Sequence, residues 1–341
     1  MSKFMIDRRQ ILKSVPAAAA AAMMPQILSG AARAAELTKM TYLTPYGFLI
    51  SFAPTMYGET GGFFKKHGLD VTVEGGRGSS MAVQQVTAGN ALISRTGGTD
   101  LIKAYAKDPS IVAVAEIYQR DLFYVISPED APVKTPEDMA GKTIGIVSAS
   151  GATENILDMM LAAKDISKDK VKREVVGNAP AAFQLVKQGR VAAYIATSDT
   201  YYQLQVDKQP AVAWSTDDVA PCPGQVYMTS KAQLENSKKT IAAFLASVYD
   251  CLEVLEKTDD LTPIVKSMAA KYDVFESKRP DGGLDVLKQS IKAYKSAYEA
   301  KLASSQEQWD SAYSLMLKAG LIQPLKDRNF YDDSARKLAF S

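Results

Sequence analysis

One stretch of the sequence decides the fold: Val71-Thr72-Val73-Glu74-Gly75-Gly76-Arg77-Gly78-Ser79-Ser80. It predicts a short strand that runs into a glycine-rich turn, followed by a helix from Ser79 to Ala88 that closes at Gly89. Glycine lets the backbone approach a ligand closely, and a helix N-terminus offers free N–H groups to an anion. The turn has neither the P-loop nor the dinucleotide-binding spacing. The stretch therefore predicts a strand–turn–helix unit whose turn can face a small ligand.

The same alternation of strands and helices continues on both sides of this unit. A first series is expected at 37–43, 52–67, 71–74, 79–88, 91–94, 100–107 and 111–115. A second series is expected at 122–127, 135–139, 143–147, 151–164, 172–176, 179–188, 192–196 and 211–215. A last strand at 226–229 then leads into helices at 236–258, 262–272, 283–303 and 306–319. The order predicts two α/β lobes with largely parallel sheets, a cleft between them and a helical C-terminal tail.

Composition and charge agree with a globular chain. The 341 residues are 47% apolar and 23% charged, which suggests two domains and excludes disordered, collagen-like and disulfide-rich classes. The net charge is +2, but residues 1–35 alone carry +4, which leaves −2 for the remainder. No basic footprint for nucleic acid remains.

The first 35 residues have the order of an export signal. A basic segment is followed by a short alanine-rich apolar stretch and by small residues at Ala32-Arg33-Ala34, where cleavage is expected. The run Arg8-Arg9-Gln10-Ile11-Leu12-Lys13 resembles the twin-arginine (Tat) signal, and an ordinary secretory signal is the alternative. The apolar stretch is too short for a membrane span. A mature protein beginning near residue 36 and working in the periplasm is therefore expected.

The sequence contains two cysteines, Cys222 and Cys251. An oxidising compartment would permit a disulfide between them, whereas a Tat substrate folds first in a reducing cytosol. A disulfide and two free buried thiols both stay open from the sequence. With only one histidine, His67, the chain offers no metal-ligand cluster, and no metal or cofactor is expected.

Candidate binding residues lie in the turns that follow the predicted strands, because ligands of such sheets bind beyond the carboxyl ends of the strands. Aromatic residues in the first turn could stack on a flat ligand or belong to the core. Hydroxyl groups at helix starts could contact an anion or only cap the helix. Arg95 is costly to bury unless paired, either with a ligand anion or with Asp100 or Glu116. The expected ligand contacts are Tyr46, Phe48, Phe52, Arg77, Gly78, Ser79, Ser80, Arg95, Thr96, Tyr118, Ser150, Gly151, Thr153, Asn178 and Asp199.

Several segments resemble the NMT1/THI5-like solute-binding proteins of bacterial ABC importers, which include alkanesulfonate, taurine and pyrimidine-precursor binding proteins. The matching runs are Glu59-Thr60-Gly61-Gly62-Phe63-Phe64-Lys65-Lys66-His67-Gly68-Leu69-Asp70-Val71, Thr135-Pro136-Glu137-Asp138-Met139-Ala140-Gly141-Lys142-Thr143-Ile144-Gly145, Val186-Lys187-Gln188-Gly189-Arg190-Val191-Ala192-Ala193 and Lys318-Ala319-Gly320-Leu321-Ile322. The family usually has aspartate where this chain has Asn90. The resemblance spans about 40–335.

The resemblance implies a type II periplasmic binding protein fold with a hinge. Lobe 1 would comprise residues 36–122 and 226–341, and lobe 2 residues 123–225, with crossovers near 117–124 and 216–226. It implies a monomer that captures a small solute, performs no catalysis, and delivers the solute to an ABC permease and its ATPase. A THI5-like enzyme and a periplasmic sensor subunit are the alternatives.

The ligand class follows from the candidate turns. Pyrimidine-precursor binders often begin with a D-W-x-P-N-like run, and the segment Tyr42-Leu43-Thr44-Pro45-Tyr46 lacks its Asp, Trp and Asn. The arginines and hydroxyl-bearing helix starts favour an anion, and the aromatics favour a flat or apolar body. An aromatic carboxylate or a sulfonate is expected, and a pyrimidine precursor is the alternative. A THI5-like enzyme would need a donor histidine and clustered cysteines, whereas this chain has one histidine, His67, in the run before Gly68, and no cysteine cluster.

Overall fold

The computed structural model describes residues 36–279 and 281–341, so the predicted export signal at 1–35 lies outside the described residues. The first series of elements is close to expectation, with a short 3-10 helix at Ile50–Phe52 before the first α-helix. It comprises β1 (Thr38–Thr44), α1 (Ala53–Thr60), α2 (Phe63–Lys66), β2 (Leu69–Gly75), α3 (Ser79–Thr87), β3 (Ile93–Gly97), α4 (Gly98–Tyr105) and β4 (Ile111–Tyr118).

The second series begins with an additional strand and then repeats this alternation, and it is followed by one strand and a helical region. It comprises β5 (Phe123–Pro128), β6 (Thr143–Ile146), α5 (Ala152–Ala163), β7 (Lys172–Val175), α6 (Phe183–Lys187), β8 (Ala193–Thr197), α7 (Ser198–Val206) and β9 (Ala211–Ser215). The C-terminal part comprises β10 (Gln225–Ser230), α8 (Lys231–Lys257), α9 (Thr262–Ala269), α10 (Leu284–Glu299), α11 (Gln306–Lys318) and α12 (Ser334–Ala339). No helix in residues 36–279 or 281–341 is long and apolar enough to cross a membrane.

The strands form two five-stranded sheets of matching design. The first has the order β2-β1-β3-β10-β4, and the second has the order β7-β6-β8-β5-β9. In each sheet four strands run in the same direction, and one, β10 or β5, runs antiparallel to both of its neighbours. The chain crosses between the sheets at 119–122 and at 216–224. The predicted α/β fold with two lobes and a helical C-terminal region is confirmed.

Three expectations about helices are wrong. The single helix expected at 52–67 is two helices, because Gly61 and Gly62 separate them and Gly62 has a φ of +79°, the left-handed region that favours glycine. Helix α7 was not expected, since Ser198–Val206 is rich in polar and tyrosine residues and lacks an apolar stripe. Helix α12 was not expected either, because its six residues are too short for a periodic pattern to be recognised.

The apolar core holds three clusters of buried side chains. One packs the first sheet against α1 and α8–α10, a second joins both sheets through α4, α5 and α11, and a third lies on the second sheet. Cys251 belongs to the first cluster and Cys222 to the second, and both are free and buried. Burial raises the pKa of each thiol well above its ordinary value. The structure therefore corresponds to the free-thiol alternative.

Two buried carboxylates hold the crossings together. The Asp217 carboxylate accepts hydrogen bonds from the backbone N–H groups of Asp121 and Cys222, both at 3.2 Å, which links one crossing to the other. Glu116, at the end of β4, accepts one from the Gly224 N–H at 2.9 Å. Because these acceptors serve backbone donors that water does not reach, the crossings have a defined geometry.

Candidate functional site

Arg95 is the most informative of the predicted site residues. It lies near the end of β3 and is only 2% exposed. Its Nε donates a hydrogen bond to Gln225 Oε1 at 3.1 Å, and its Nη1 donates one to the Ser51 carbonyl at 3.0 Å. The guanidinium carbon lies 4.9 Å from the ring centre of Phe52 and 4.7 Å from that of Tyr118. The side chain is thus held between two aromatic rings by neutral acceptors.

The charge of Arg95 has no carboxylate partner in the part of the chain that the structure describes. None of the ion pairs found there includes Arg95, so the pairing with Asp100 or Glu116 considered from the sequence is not formed. No hydrogen bond among the described residues uses its Nη2 atom. The neighbouring Thr96 hydroxyl is also buried without a partner. Arginine keeps its charge at all ordinary pH values, so Arg95 is a buried cation that forms no ion pair among the described residues and has a spare donor group.

Asp199 reaches the same corner from the other sheet. It is half-buried at the start of α7, whose residues contact α10 on the side of the first sheet. Burial raises the pKa of Asp199, and the Ser51 hydroxyl and the Arg95 charge oppose this shift. Helix α7 follows strand β8 of the second sheet, so a carboxyl of the second series lies within electrostatic range of Ser51 and Arg95 of the first.

Several tyrosines lie around Arg95 and Asp199. Tyr118 packs against Tyr294 of α10 with ring centres 5.3 Å apart, and the Tyr294 hydroxyl donates a hydrogen bond to the Ser51 carbonyl at 2.8 Å. On the second sheet, the Tyr124 ring lies 5.5 Å from that of Tyr201 and 6.5 Å from that of Tyr202. Burial raises the pKa of Tyr118 and Tyr202, and the charge of Asp199 adds to both shifts. The site therefore has aromatic walls from both lobes.

The sequence predicted Tyr118 but not the other tyrosines, nor Ser51 and Gln225. The only local signal was the pair Tyr201-Tyr202 in the turn of helix that follows Asp199. Tyr294, Ser51 and Gln225 carry no such signal, because they reach Arg95 from distant parts of the chain.

The glycine-rich turn is built as expected, but Ser79 does not cap the helix. Gly78 is the N-cap of α3, with a φ of +122°, and no side chain caps that end. A Cβ at Gly76 would lie 2.1 Å from the Thr44 carbonyl oxygen, so only glycine fits there. The Ser79 hydroxyl instead faces Asp100, whose pKa burial raises and this hydroxyl lowers. The remaining polar members of the turn, Arg77 and Ser80, are exposed.

The aromatic residues of the first turn divide between core and surface. Phe52 is buried in the first core cluster, and Phe48 packs against that cluster with its ring centre 4.9 Å from that of Tyr272. Tyr46 is 64% exposed and pairs through its backbone with Arg77. Of the three, only Phe52 touches Arg95, so the structure does not gather them around one point.

The predicted residues of the second lobe mostly support its own turns. Thr153 is buried, and its hydroxyl accepts a hydrogen bond from the Val147 N–H at 2.9 Å. Asn178 Oδ1 accepts one from the Thr197 N–H, and Asn178 Nδ2 donates one to the Thr197 hydroxyl, both at 3.0 Å. Gly151 is the N-cap of α5, and Ser150 before it is exposed with a φ of +58°. These residues support the turns of lobe 2. Asp199, by contrast, lies close enough to Arg95 for the Arg95 charge to influence its pKa.

Other parts of the described chain offer weaker sites. Two surface depressions lie away from the sheets' meeting point, one along 326–331 beside α11 and one beside the start of α8. Neither contains a buried unpaired charge. His67 lies at the end of α2 with its Nε2 3.0 Å from Asp250, far in sequence from the site residues. Among the described residues no three His, Cys, Asp or Glu side chains are arranged to hold a metal ion. The surroundings of Arg95 are therefore the strongest candidate for a binding site in the described part of the chain.

Known proteins share this architecture. The binding protein YtlA of Bacillus subtilis (strain 168) is 22% identical over 288 residues, covering 80% of each chain. The alkanesulfonate-binding protein SsuA from Xanthomonas axonopodis pv. citri, solved with MOPS, superposes with a TM-score of 0.62 at 13% identity, covering 88% of this chain and 98% of that one. The periplasmic nitrate-binding protein NrtA from Synechocystis PCC 6803 gives 0.61 at 14% identity, with 89% and 88% covered.

The structural likenesses show that the fold is that of the periplasmic binding proteins. The family model described as "NMT1/THI5 like" matches residues 50–257, which is more than half of the chain. The match includes β2–β10, the whole of helix α8, and both crossings between the sheets. The protein therefore belongs to the NMT1/THI5-like family.

Proposed function

We propose that this protein is the solute-binding component of an ABC importer and captures a small organic anion between its two sheets. The solute-binding role follows from the family and the fold. The anionic character of the ligand rests on one observation, the buried guanidinium of Arg95 without a carboxylate partner. A carboxylate or sulfonate accepts paired hydrogen bonds from such a planar group, so the spare Nη2 donors fit either acid.

The tyrosines bear on the shape of the ligand, in addition to its charge. Tyr118 lies on β4 of the first sheet and Tyr202 on helix α7, which follows β8 of the second, and the charge of Asp199 influences both, so a ligand held there would pack against aromatic surface on two sides. Aromatic side chains with polar tips are well suited to line such a site. We retain an aromatic carboxylate or a sulfonate as the ligand class, with a pyrimidine precursor as the alternative.

The remaining parts of the proposal concern how the protein works. Lobe 1 would consist of residues 36–122 and 226–341 and lobe 2 of residues 123–225, moving about the two crossings. A ligand that contacts both lobes favours the closed form, which a permease and its ATPase would recognise. The protein would act as a monomer in the periplasm after Tat export, without catalysing a reaction.

Calorimetric titration tests the anion proposal directly. Protein freed of cargo by unfolding and refolding is titrated with matched acids and amides, such as benzoate and benzamide or ethanesulfonate and ethanesulfonamide, and with aminopyrimidines. We expect an acid to bind and its neutral partner not to bind. Arg95→Met should weaken acid binding by more than about tenfold, equivalent to about 1.4 kcal/mol. Arg328→Met, at an exposed arginine outside the expected ligand contacts, is the matched control.

Two outcomes would contradict the proposal. Equal affinity of the wild type and Arg95→Met for an acid would remove Arg95 from the site. Binding of aminopyrimidines in preference to every acid would preserve the transport role and replace the ligand class.

A further inference from the structure

We infer that Gln225 is the positioning residue of Arg95: its neutral amide oxygen fixes the direction of the guanidinium and leaves the positive charge free for an acid. The inference rests on the proposed function, because it takes Arg95 as the residue that receives the acid group. It adds to the site a residue at the start of strand β10, outside the turns that follow the strands. A carboxylate at this place would also hold the guanidinium, but it would cancel the charge.

The hydrogen bond between the two side chains assigns both ends of the amide. Arg95 Nε donates to Gln225 Oε1 at 3.1 Å, and a guanidinium carries donors only, so the amide oxygen has to face it. Gln225 is only 9% exposed. Within residues 36–279 and 281–341, this is the one hydrogen bond that the Gln225 side chain makes. The amide is therefore committed to Arg95, and its Nε2 donates to no described residue.

Two further contacts complete the orientation of the guanidinium. Nη1 of Arg95 donates to the Ser51 carbonyl at 3.0 Å, and the rings of Phe52 and Tyr118 lie 4.9 and 4.7 Å from the guanidinium carbon. The group is planar and rigid, so fixing Nε, Nη1 and the ring contacts also fixes where Nη2 points. These contacts orient the donor proposed for the acid with neutral groups alone.

The backbone of Gln225 is held by the strands on both sides of β10. Gln225 pairs with Gly97 of β3 and with Tyr118 of β4. The next residue, Val226, pairs with Glu116, so β4 contains one extra residue at this point and forms a β-bulge. Bulges redirect side chains and are frequent beside functional sites. This bulge lies where the Tyr118 ring and the Gln225 amide both meet Arg95.

The residue before Gln225 closes the second crossing tightly. Gly224 donates its N–H to the Glu116 carboxylate at 2.9 Å, and its carbonyl accepts a hydrogen bond from the Gly98 N–H at 3.0 Å. A Cβ at Gly224 would lie 2.0 Å from the Arg120 carbonyl oxygen, so the two crossings touch through a glycine. Gln225 thus stands on fixed backbone, as a residue that orients another one requires.

The neutrality of the acceptor is the observation that points to function. Two partly buried arginines elsewhere in the described chain, Arg279 and Arg336, pair with Asp281 and Asp333 at 3.1 and 3.2 Å. Arg95 is more deeply buried than either, yet it forms no ion pair and rests on an amide and a carbonyl. A buried cation without a counter-ion is costly, whereas it attracts an incoming anion strongly. The arrangement therefore favours capture over stability.

The substitution Gln225→Glu tests the inference, because it keeps the shape and the acceptor and adds one negative charge. The variant is refolded as the full-length protein and titrated with benzoate and ethanesulfonate. We expect acid binding to weaken by more than about tenfold, because the new charge pairs with Arg95, and the melting temperature without ligand to stay equal or rise. Gln323→Glu adds the same charge at an exposed position and should change neither.

Two further variants separate a positioning role from a structural one. Gln225→Met removes the acceptor but leaves the charge, so the melting temperature should fall while acid affinity falls by only about threefold. Affinity and stability would then change in opposite order in the two variants, which a merely structural residue cannot produce. In an Arg95→Met background, Gln225→Glu leaves a buried carboxylate without a cation, so there it should lower the melting temperature.

The outcomes distinguish this inference from the proposed function. If the wild type binds an acid, Arg95→Met does not, and Gln225→Glu binds it as tightly as the wild type, the inference fails while the anion proposal stands. If the affinities of Gln225→Glu and Gln225→Met simply follow their melting temperatures, Gln225 only supports the fold and the inference also fails. If Arg95→Met binds the acid as the wild type does, both fail.

Discussion

The two sheets have the same strand order, but their central strands end differently. In the first sheet Tyr42 of β1 pairs with Ile93 of β3, and in the second Ile144 of β6 pairs with Ala193 of β8. Counting from these pairs places Arg95 and Ile195 at equivalent positions, and both are buried. The equivalent strand position thus holds a charged residue in the first sheet and an apolar residue in the second.

The surroundings explain why both choices are stable. The guanidinium of Arg95 lies between two rings and donates to Gln225 and Ser51, whereas Ile195 packs in the apolar cluster that joins the sheets. The second sheet supplies its charge from the helix instead, through Asp199 at the start of α7. The comparison indicates that the two sheets share a scaffold but place their charged groups differently, a cation on a strand of the first and a carboxyl on the helix that follows the equivalent strand of the second.

The largest effect on the free energy of unfolding is expected when Ile195 of the second sheet is replaced by the arginine of the first. Ile195→Arg would place a guanidinium among apolar side chains with no acceptor, and we expect a loss of about 3–5 kcal/mol in the free energy of unfolding. Ile195→Met keeps volume and polarity and should cost less than about 1.5 kcal/mol. Urea unfolding followed by circular dichroism measures both. Equal stability of the two variants would mean that the second lobe can house a cation too.

The reverse change should cost less. Arg95→Met removes the charge and leaves the Gln225 side chain without the Arg95 donor, while the Ser51 carbonyl keeps its hydrogen bond from the Tyr294 hydroxyl, and we expect a loss of about 1–3 kcal/mol. The same urea series measures this. A stabilised Arg95→Met variant would also be informative, because it would mark Arg95 as a residue kept at the expense of stability, as functional charges often are. A loss larger than that of Ile195→Arg would instead make Arg95 chiefly structural.

The sequence predicted the scaffold better than the site. All strands of both sheets were expected within a few residues, because alternation and glycine punctuation are local signals. The position of Arg95 was also predicted, because a charge in an apolar strand stands out. Its partners could not be predicted, since Tyr294 and Gln225 come from segments 199 and 130 residues further along the chain, and only the folded topology brings them to β3.

The carboxyl groups at the crossings between the sheets should make the stability of the protein depend on pH. Burial raises the pKa of Glu116 and Asp121 to about 7, and the neighbouring Asp217 adds to both shifts. Hydrogen bonds from Ser304, Gly224, Leu122 and Thr216 act in the opposite direction. Their ordinary values are 4.5 and 3.8, so between about pH 4 and 7 the folded protein binds more protons than the unfolded chain. Stability from these groups is therefore present at low pH and lost as the pH rises through 7.

Melting temperatures between pH 4.5 and 8 measure this contribution. Glu116→Gln keeps an acceptor for the Gly224 N–H and removes the titration, so the variant should lose less stability than the wild type as the pH rises. Glu235→Gln, at an exposed position on α8, is the matched control. Parallel profiles for the wild type and Glu116→Gln would show that the Glu116 carboxyl does not titrate in this range.

The smallest effect is expected at Thr96, beside Arg95. Its hydroxyl is fully buried without a hydrogen-bond partner among the described residues, an arrangement that costs free energy unless something else uses the group. Thr96→Val removes the oxygen at almost constant volume, and should leave the unliganded protein equally stable or more stable by up to about 1 kcal/mol. If the hydroxyl serves the ligand, the same variant should bind the best acid several-fold more weakly. Thr99→Val, one turn further along the chain at another buried threonine, tests whether this pattern is specific. A variant at Thr96 that is less stable and binds the acid unchanged would assign the hydroxyl to the scaffold, and the difference between the two lobes would then rest on Arg95 alone.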